Sequence, residues 1–353
     1  MRCKFKTRNM PNQKKSNTIR DVARQAGVSY QTVSRVINKS KLVLPETREK
    51  VEIVIKEIGF RPSAIARSMA VGRTNTIACI SPNITDYTFA SIIEGAEKEA
   101  RKEGYFLLSS SAENPNSFIS LIDELAGHHR VDGLIIINPY ADRRFEAIPE
   151  DFPLVFVGAC SRDKKICSVS LDDKSVGYEA TRHLISLGHQ EIGMITGPKM
   201  EDCCTDRTLG YSIALKEANL SFNTSLIIEG NWSASSGQAA LFKFANLEKL
   251  PSAVFAQNDR MALGVLSAAR EKRLEVPEQL AVIGVDDMPL ASYFDPPLTT
   301  MHQNMPEIGS EAVRMLMKSM KKTIKKCIQL KLPAQLVIRQ STSREGGGRE
   351  NYK

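Results

Sequence analysis

Apolar residues recur every three or four positions in three short segments near the start of the chain, the spacing of helices with one buried face. The three faces comprise Val22, Ala23 and Ala26; Val33, Val36 and Ile37; and Val51, Val54, Ile55 and Ile58. The pattern predicts three helices that pack into a small bundle.

Local signals set the ends of these helices. Thr18 with Asp21 three residues later matches a capping box, and Ser29 can cap the second helix. Gly27 stands where a chain leaving a helix often needs a positive φ, and Pro45 fits the entrance of the third helix. Two short helices joined by such a turn are typical of a helix-turn-helix unit.

After residue 74 the pattern changes, because continuous apolar runs now alternate with helical segments. Seven runs read as strands: NTIACIS, YFLLSSS, VDGLIIIN, PLVFVGA, QEIGMITG, SAVFAQ and LAVIGVD. This alternation is typical of parallel sheets covered by helices on both faces. More than ten elements are too many for one small sheet, so we predict two doubly wound lobes with a ligand cleft beyond the strand ends.

Charge is distributed unevenly between the two parts. Residues 1–73 contain 17 Lys and Arg against 5 Asp and Glu, which leaves 31 against 35 in the rest of the chain. A basic module joined to a near-neutral body indicates a polyanion partner. The alternative is a solvated basic face without a partner.

The basic bundle is therefore expected to bind DNA. In a helix-turn-helix unit the second helix enters the major groove with its N-terminal end. Gln pairs with adenine and Arg with guanine, and Tyr adds an apolar or phosphate contact. The predicted DNA contacts are Thr18, Ser29, Tyr30, Gln31, Thr32, Ser34, Arg35 and Asn38. The alternative is a three-helix protein-interaction module.

Polar residues just past the predicted strand ends are candidates for the cleft. A sugar is bound by fixed carboxylates, amides and a guanidinium group, with an aromatic ring against its C–H face. The candidates are Asp86, Arg207, Trp232, Asn258, Asp259, Asp286 and Asp287. Arg207 and the neighbouring Asp287 could instead be structural partners, and Trp232 could be part of the core.

Enzyme and membrane classes find no support in the sequence. It contains no phosphate-binding glycine loop, dinucleotide fingerprint, zinc-protease motif or nucleophile elbow. The seven cysteines lack zinc-site spacing, and no apolar run approaches about 18 residues. We expect no catalytic residue, metal or cofactor, no membrane partner, and a reduced cytoplasmic location at the nucleoid.

The stretches TIRDVARQAGVSYQTVSRVINKS, TREKV and GFRPSAIARSMA closely resemble the lactose/galactose repressor (LacI/GalR) family, with YQTVSR similar to its lactose-repressor-like members. The resemblance covers about residues 18–341. It implies a hinge helix that folds only when two subunits sit on DNA, with Ile65 and Ala66 between the paired hinges. Met69 would then be the wedge in the minor groove. The alternative is a plain linker.

The resemblance also implies a two-lobed core of the periplasmic-binding-protein-like type (type I), in which Arg207, Asn258 and Asp286 contact the effector. Trp232 matches a pocket aromatic of lactose-type members. The stretch VFVGACSRD departs from sugar-binding relatives by placing Gly and Ala after its strand, so the identity of the sugar does not follow. The tail has no leucine heptads, which implies a homodimer rather than a tetramer.

The expected fold is therefore α/β, with an N-terminal all-α helix-turn-helix domain and a two-lobed doubly wound core. The expected segments are a disordered basic extension (1–17), the DNA-binding domain (18–61), a hinge and linker (62–73), the core (74–341) and a flexible tail (342–353). Within the core we assign residues 74–170 and 300–330 to the N-lobe and residues 171–299 to the C-lobe. The extension is either a DNA-backbone arm or precedes a true start at Met10 or later.

The expected function is repression of a carbohydrate-utilisation operon. The partners are double-stranded operator DNA, a second copy of the chain, and a sugar or sugar phosphate whose binding between the lobes releases the operator. One alternative is a regulator that uses a phosphocarrier protein or a small-molecule co-repressor. The other is a sugar-binding or sugar-processing protein without a DNA function.

Overall fold

The computed structural model describes residues 17–38, 40–62, 72–140, 148, 152–162, 166–321, 323 and 326–343. These residues belong to two compact units that divide after Thr74. The expected hinge contacts Ile65, Ala66 and Met69, the extension up to residue 16 and the tail from residue 344 lie outside the described residues.

The first unit contains the three predicted helices, α1 (Ile19–Ala26), α2 (Tyr30–Ile37) and α3 (Pro45–Glu57). Their predicted faces form one cluster, in which Ile37, Ile55 and Ile58 are partly buried and the other predicted members are buried. Gly27 ends α1 in the left-handed region at φ +65°, as its position in the sequence predicts. The helix-turn-helix prediction is confirmed.

Short polar contacts fix the two helix starts of this unit. The Asp21 carboxylate accepts a hydrogen bond from the Thr18 backbone N–H at 2.9 Å and one from the Thr18 hydroxyl at 2.7 Å. The Ser29 hydroxyl accepts from the backbone N–H of Thr32 at 3.1 Å. These contacts satisfy backbone donors that a helix start leaves unpaired.

The second unit contains two six-stranded sheets, and the first sheet is parallel throughout. Its spatial order is β11–β5–β4–β3–β1–β2. The strands are β1 (Thr76–Ser81), β2 (Phe106–Ser111), β3 (Gly133–Ile137), β4 (Leu154–Val157), β5 (Cys167–Leu171) and β11 (Gln329–Leu332). We call this sheet with its helices the N-lobe.

The second sheet has the order β12–β10–β9–β8–β6–β7, and only β12 runs antiparallel to its neighbour. Its strands are β6 (Ile192–Thr196), β7 (Ile227–Glu229), β8 (Ala253–Ala256), β9 (Ala281–Asp286), β10 (Thr299–His302) and β12 (Gln335–Val337). We call this sheet with its helices the C-lobe. The two parallel-rich sheets confirm the predicted α/β fold of two wound lobes.

Helices cover both faces of each sheet. In the N-lobe they are α4 (Tyr87–Lys102), α5 (Pro115–Ile122), which continues into a π-turn at Asp123–Gly127, and α10 (Met305–Met320). In the C-lobe they are α6 (Asp173–Ser186), α7 (Asp202–Glu217), α8 (Ala234–Phe244) and α9 (Asp259–Glu271). Short 3₁₀ turns lie at Thr224–Leu226 and Ala291–Tyr293.

The chain passes between the lobes three times. It leaves the N-lobe after β5, returns between β10 and α10, and crosses again between β11 and β12. The carboxyl ends of parallel strands thus border these crossings, where ligands of wound sheets bind.

Paired glycines set the closest helix contacts in both lobes. A Cβ at Gly177 of α6 would lie 2.0 Å from the backbone oxygen of Arg207 in α7, and one at Gly210 would lie 2.0 Å from that of Lys174. The α4–α10 and α8–α9 pairs cross in the same way, at Gly95 with Gly309 and at Gly237 with Gly264. At these three crossings an added methyl group meets backbone, which cannot rotate away.

Among the described residues, no helix is both long and apolar enough to cross a membrane.

We predict that Gly177→Ala lowers the free energy of unfolding by about 1–3 kcal/mol, because overpacking forces α6 and α7 apart. Urea unfolding followed by circular dichroism measures this change. Lys216→Ala, on the exposed side of α7, is the control and should stay within about 0.5 kcal/mol of wild type. Equal stability of the two variants would contradict the close crossing.

Candidate DNA-reading helix and ligand cavity

The outward side of α2 presents the predicted base-reading residues together. Tyr30 is 58% exposed, and Gln31, Arg35 and Asn38 are also exposed. The opposite side is buried through Val33 and Val36. The first turn contains no acidic residue, so nothing on this turn repels a phosphate backbone.

The predicted hydroxyl contacts lie at the helix starts or beside this surface. Thr18 and Ser29 are exposed N-cap residues of α1 and α2. Thr32 and Ser34 are half-buried, and the Ser34 hydroxyl accepts a hydrogen bond from the Asn38 amide at 3.5 Å. Hydroxyls and free backbone N–H groups at helix starts are common phosphate contacts.

A cavity of about 300 Å³ lies between the two lobes of the second unit, at the lower end of the range for small-molecule sites. Five of the seven cleft candidates line it, namely Asp86, Arg207, Trp232, Asn258 and Asp286, whereas Asp259 and Asp287 do not. The structure therefore brings together residues that lie up to 200 positions apart in the sequence. Its N-lobe wall also contains buried apolar side chains, among them Ile92, Met305 and Ile308.

Several polar lining residues were not predicted: Asn83, Asn138, Asp173, Glu201, Asn231, Arg260 and Gln303. Asp173 follows β5 and Gln303 follows β10. Both would have been candidates if β5 and β10 had been predicted as strands, because the candidates were sought just past strand ends. Glu201 is the N-cap of α7 and carries no comparable sequence signal.

Arg207 is buried, with 6% of its surface exposed. Its Nε and Nη2 atoms each lie 2.7 Å from Oδ1 of Asp173, and its Nη1 donates to the backbone oxygen of Gln257. Burial raises the pKa of Asp173, an effect that the charge of Arg207 opposes. Arg207 is thus a structural partner of α6 and at the same time part of the cavity wall.

Trp232 is held from both sides. Its indole Nε1 donates to Oε1 of Glu201 at 2.9 Å, and its carbonyl oxygen accepts from Nδ2 of Asn258 at 3.1 Å. Its ring covers Gly197, where an added Cβ would lie 2.1 Å from it. Trp232 also has a φ of +67°, a region that bulky residues rarely adopt. These contacts fix the ring as a wall of the cavity.

Asn258 combines two roles in the same way. Its side-chain oxygen accepts from the backbone N–H of Met261 at 2.8 Å and caps α9. Its amide nitrogen faces the Trp232 carbonyl oxygen.

Direct contacts join the lobes across the cavity. Asp86 of the N-lobe forms an ion pair with Arg260 of the C-lobe at 2.9 Å, while its other oxygen caps α4 through Thr88. The Asn138 amide of the N-lobe donates to Glu201 of the C-lobe at 3.3 Å. These contacts hold the lobes together around the cavity.

The adjacent carboxylates Asp286 and Asp287 have different surroundings. Asp286, at φ +120°, lines the cavity and accepts a hydrogen bond from Nε2 of Gln303 at 2.8 Å. Burial, with a further contribution from Asp259, raises the pKa of Asp286. Asp287 contacts Arg339 at 2.7 Å and His302 at 3.0 Å and is not part of the lining, as its structural alternative predicts.

Asp259 lies behind the cavity and is fully buried. It accepts hydrogen bonds from the Thr300 hydroxyl at 2.6 Å and from the backbone N–H of Met288 at 2.9 Å. Burial raises the pKa of Asp259 to about 7. The carboxyl group therefore titrates near neutral pH inside the C-lobe.

The adjacent cysteines Cys203 and Cys204 have different surroundings. Cys203 lines the cavity, whereas Cys204 is buried in the lobe. Among the residues that the structure describes, no cluster of three or more His, Cys, Asp or Glu side chains is placed to hold a metal ion.

Two family descriptions match this chain. Residues 18–63 match "Bacterial regulatory proteins, lacI family", and residues 181–342 match "Periplasmic binding protein-like domain".

Similar proteins share most of its length. The chain is 37% identical over 328 residues to a protein of Histophilus somni named "HTH-type transcriptional repressor PurR", covering 92% of this chain and 98% of that protein. A protein of the same name from Vibrio atlanticus is 35% identical over 311 residues, covering 86% of this chain and 92% of that protein.

Solved structures are also similar. One is the lac repressor dimer bound to operator and the anti-inducer ONPF, with a TM-score of 0.83, 30% identity, and coverage of 93% of this chain and 99% of that chain. Another is a complex of the transcriptional regulator CelR with cellobiose, with a TM-score of 0.72, 30% identity, and coverage of 92% and 99%.

We predict that Asp259 makes the folded chain less stable as the pH rises from about 4 to about 7, and that Asp259→Asn removes this contribution. The folded state holds a proton on Asp259 that the unfolded state, with a pKa of about 3.9, has already released. Stability present at low pH is therefore lost as the pH rises through the folded pKa.

Urea unfolding at pH 5 and pH 8 measures the effect. Asp295→Asn removes the same charge from an exposed side chain and should keep the wild-type pH dependence. An Asp259→Asn protein with the full wild-type pH dependence would show that Asp259 is ionised at pH 5.

Proposed function

We propose a specific function on the premise that this chain belongs to the LacI family of bacterial regulatory proteins. It is a DNA-binding transcriptional repressor of this type, and its relatives are repressors rather than enzymes. The proposal is that it represses a carbohydrate-utilisation operon in the cytoplasm, at the nucleoid. A sugar bound between the lobes releases it from the operator.

The outward surface of α2 supports the DNA part of the proposal. Gln31 and Arg35 are exposed on one side of a well-capped helix, so their side chains can reach base edges, Gln31 towards adenine and Arg35 towards guanine. Tyr30 would add an apolar contact. Thr18, Ser29, Thr32, Ser34 and Asn38 would position the unit on the phosphates.

Two copies would bind a pseudo-palindromic operator as a homodimer, since two reading helices match two half-sites. The lac repressor, to which the chain is similar, is a dimer on its operator. The hinge roles of Ile65, Ala66 and Met69 remain part of this proposal. Phosphate contacts would give the affinity a steep dependence on salt.

The single observation that carries the ligand part is the cavity. Five residues predicted from strand ends and from the family resemblance all line one space between lobes that the chain crosses three times. Carboxylates, amides and a guanidinium group surround it, with Trp232 as the aromatic wall. A ligand that binds one arrangement of the lobes better than the other shifts the population towards it.

The second candidate function is repression with a small-molecule co-repressor, in which ligand binding strengthens operator binding. Its support is the 37% identity to the protein named "HTH-type transcriptional repressor PurR". A regulator that binds a phosphocarrier protein has no comparable support in the cavity.

We predict that Arg35→Ala weakens specific operator binding by about 1–3 kcal/mol and reduces the preference for operator over random DNA, since one base contact is lost. Fluorescence anisotropy with operator and random duplexes at several salt concentrations measures both quantities. Arg101→Ala, which removes a surface arginine paired with Glu97 in the other unit, is the control. An unchanged preference in Arg35→Ala would remove this residue from base reading.

We also predict reciprocal coupling between the cavity and DNA. If the sugar is an inducer, operator should weaken its binding by the same factor by which sugar weakens operator binding, typically about 5–150-fold. Trp232 fluorescence can follow the sugar titration with and without operator. A co-repressor reverses the sign, and an affinity for sugar that operator leaves unchanged would contradict allosteric control by this cavity.

A further inference from the structure

The charged groups of the cavity are unequal in number. Among the described lining residues there are four carboxylates and two guanidinium groups. Arg207 is paired with Asp173 at 2.7 Å, and Arg260 is paired with Asp86 at 2.9 Å. Two carboxylates, those of Glu201 and Asp286, remain.

The hydrogen-bond partners of these two carboxylates are neutral. Glu201 accepts from the Trp232 indole at 2.9 Å and from the Asn138 amide at 3.3 Å, and Asp286 accepts from the Gln303 amide at 2.8 Å. No Lys or Arg among the described residues forms an ion pair with either. Burial raises the pKa of both groups, and the charge of Arg207 opposes this effect in each.

Most of the hydrogen-bonding capacity of the two cavity arginines is already used by protein groups. Arg207 already uses the Nε and Nη2 atoms of its guanidinium towards Asp173 and its Nη1 atom towards the backbone oxygen of Gln257. A phosphate is usually bound by a free planar edge of a guanidinium group. Arg260 could bind a phosphate only by giving up Asp86, which would add a third unpaired carboxylate to the cavity.

The N-lobe wall of the cavity is largely apolar, which suits an uncharged ligand. Phe89, Ile92, Met305 and Ile308 line the N-lobe side, and they suit C–H groups rather than a strongly hydrated phosphate.

We propose that Glu201 and Asp286 make this cavity selective against negative charge, so that its effector is an uncharged or amine-bearing sugar that donates hydrogen bonds to both carboxylates. Phosphorylated sugars and nucleotides are excluded. The inference rests on the proposed function of the cavity as a sugar site and narrows it to one class of sugars.

Trp232 provides a test that needs no knowledge of the effector. It is the only tryptophan in the chain, it lines the cavity, and it contacts Glu201. Quenching of its fluorescence by iodide, caesium and acrylamide is compared at pH 8 and constant ionic strength, with each ion normalised to a free tryptophan derivative. We expect caesium to quench several-fold better than iodide.

Matched variants assign this effect to the two carboxylates. Glu201→Gln and Asp286→Asn keep side-chain size and should each raise iodide quenching relative to caesium. Glu94→Gln removes a carboxylate from the exposed side of α4 and should leave the ratio unchanged. Iodide quenching equal to or stronger than caesium quenching in the wild type, or a ratio unchanged in both cavity variants, overturns the proposal.

Binding of matched ligands separates this proposal from the function on which it rests. Galactose, glucose, glucosamine and cellobiose are titrated beside galactose 6-phosphate and glucose 6-phosphate, with Trp232 fluorescence and thermal unfolding as readouts. Binding confined to neutral or amine-bearing sugars supports the proposal, and a phosphate that binds as tightly as its parent sugar overturns it. If none of these ligands binds while the caesium preference holds, the choice of sugars as effectors fails and the charge selectivity stands.

Discussion

The buried contact of Arg207 with Asp173 is the interaction on which the cavity depends. Asp173 lies where the chain first crosses between the lobes, and Arg207 also binds the carbonyl oxygen at the end of β8 through Gln257. The close crossing at Gly177 and Gly210 keeps α6 and α7 near enough for this contact. Removing one partner of such a buried pair costs about 3–5 kcal/mol, because a charge stays buried without compensation. The contact that shapes the cavity wall therefore also stabilises the fold of the C-lobe.

The ion pair between the lobes is more exposed than the buried contact of Arg207 with Asp173. The Asp86–Arg260 pair is partly exposed, with 42% of the Arg260 side chain accessible, so it contributes little to stability. The two lobes are therefore not locked together by this pair. A firmly built wall joined to a loosely closed partner lobe suits a protein in which a ligand changes the arrangement of the lobes without unfolding either. The ligand needs to supply only the difference in affinity between the two arrangements.

Periodicity predicted those parts of the fold in which burial is strong. The helices of the first unit and seven strands of the core follow apolar patterns that one-sided or complete burial imposes. The strands β5 and β10 were not predicted. Their stretches, CSVSL and TTMH, contain buried hydroxyl side chains that make the sequence look polar. Asp173 and Gln303 were missed with them. The strand pattern alone does not separate Asp286 from Asp287, because their backbone dihedral angles decide which one faces the cavity. The family resemblance singled out Asp286.

Glu201 shows why the charge of a site is harder to predict than its position. A glutamate before a helix is an ordinary feature, favourable at the positive end of the helix dipole. Only the folded chain places it against the Trp232 indole and the Asn138 amide, with the nearest guanidinium groups already bound to other carboxylates. The contacts of Trp232 with Glu201 and Asn258 hold its ring beside the Glu201 carboxyl group. The Glu201 carboxyl group is therefore part of the cavity wall, and the ligand proposed for this cavity must accommodate it.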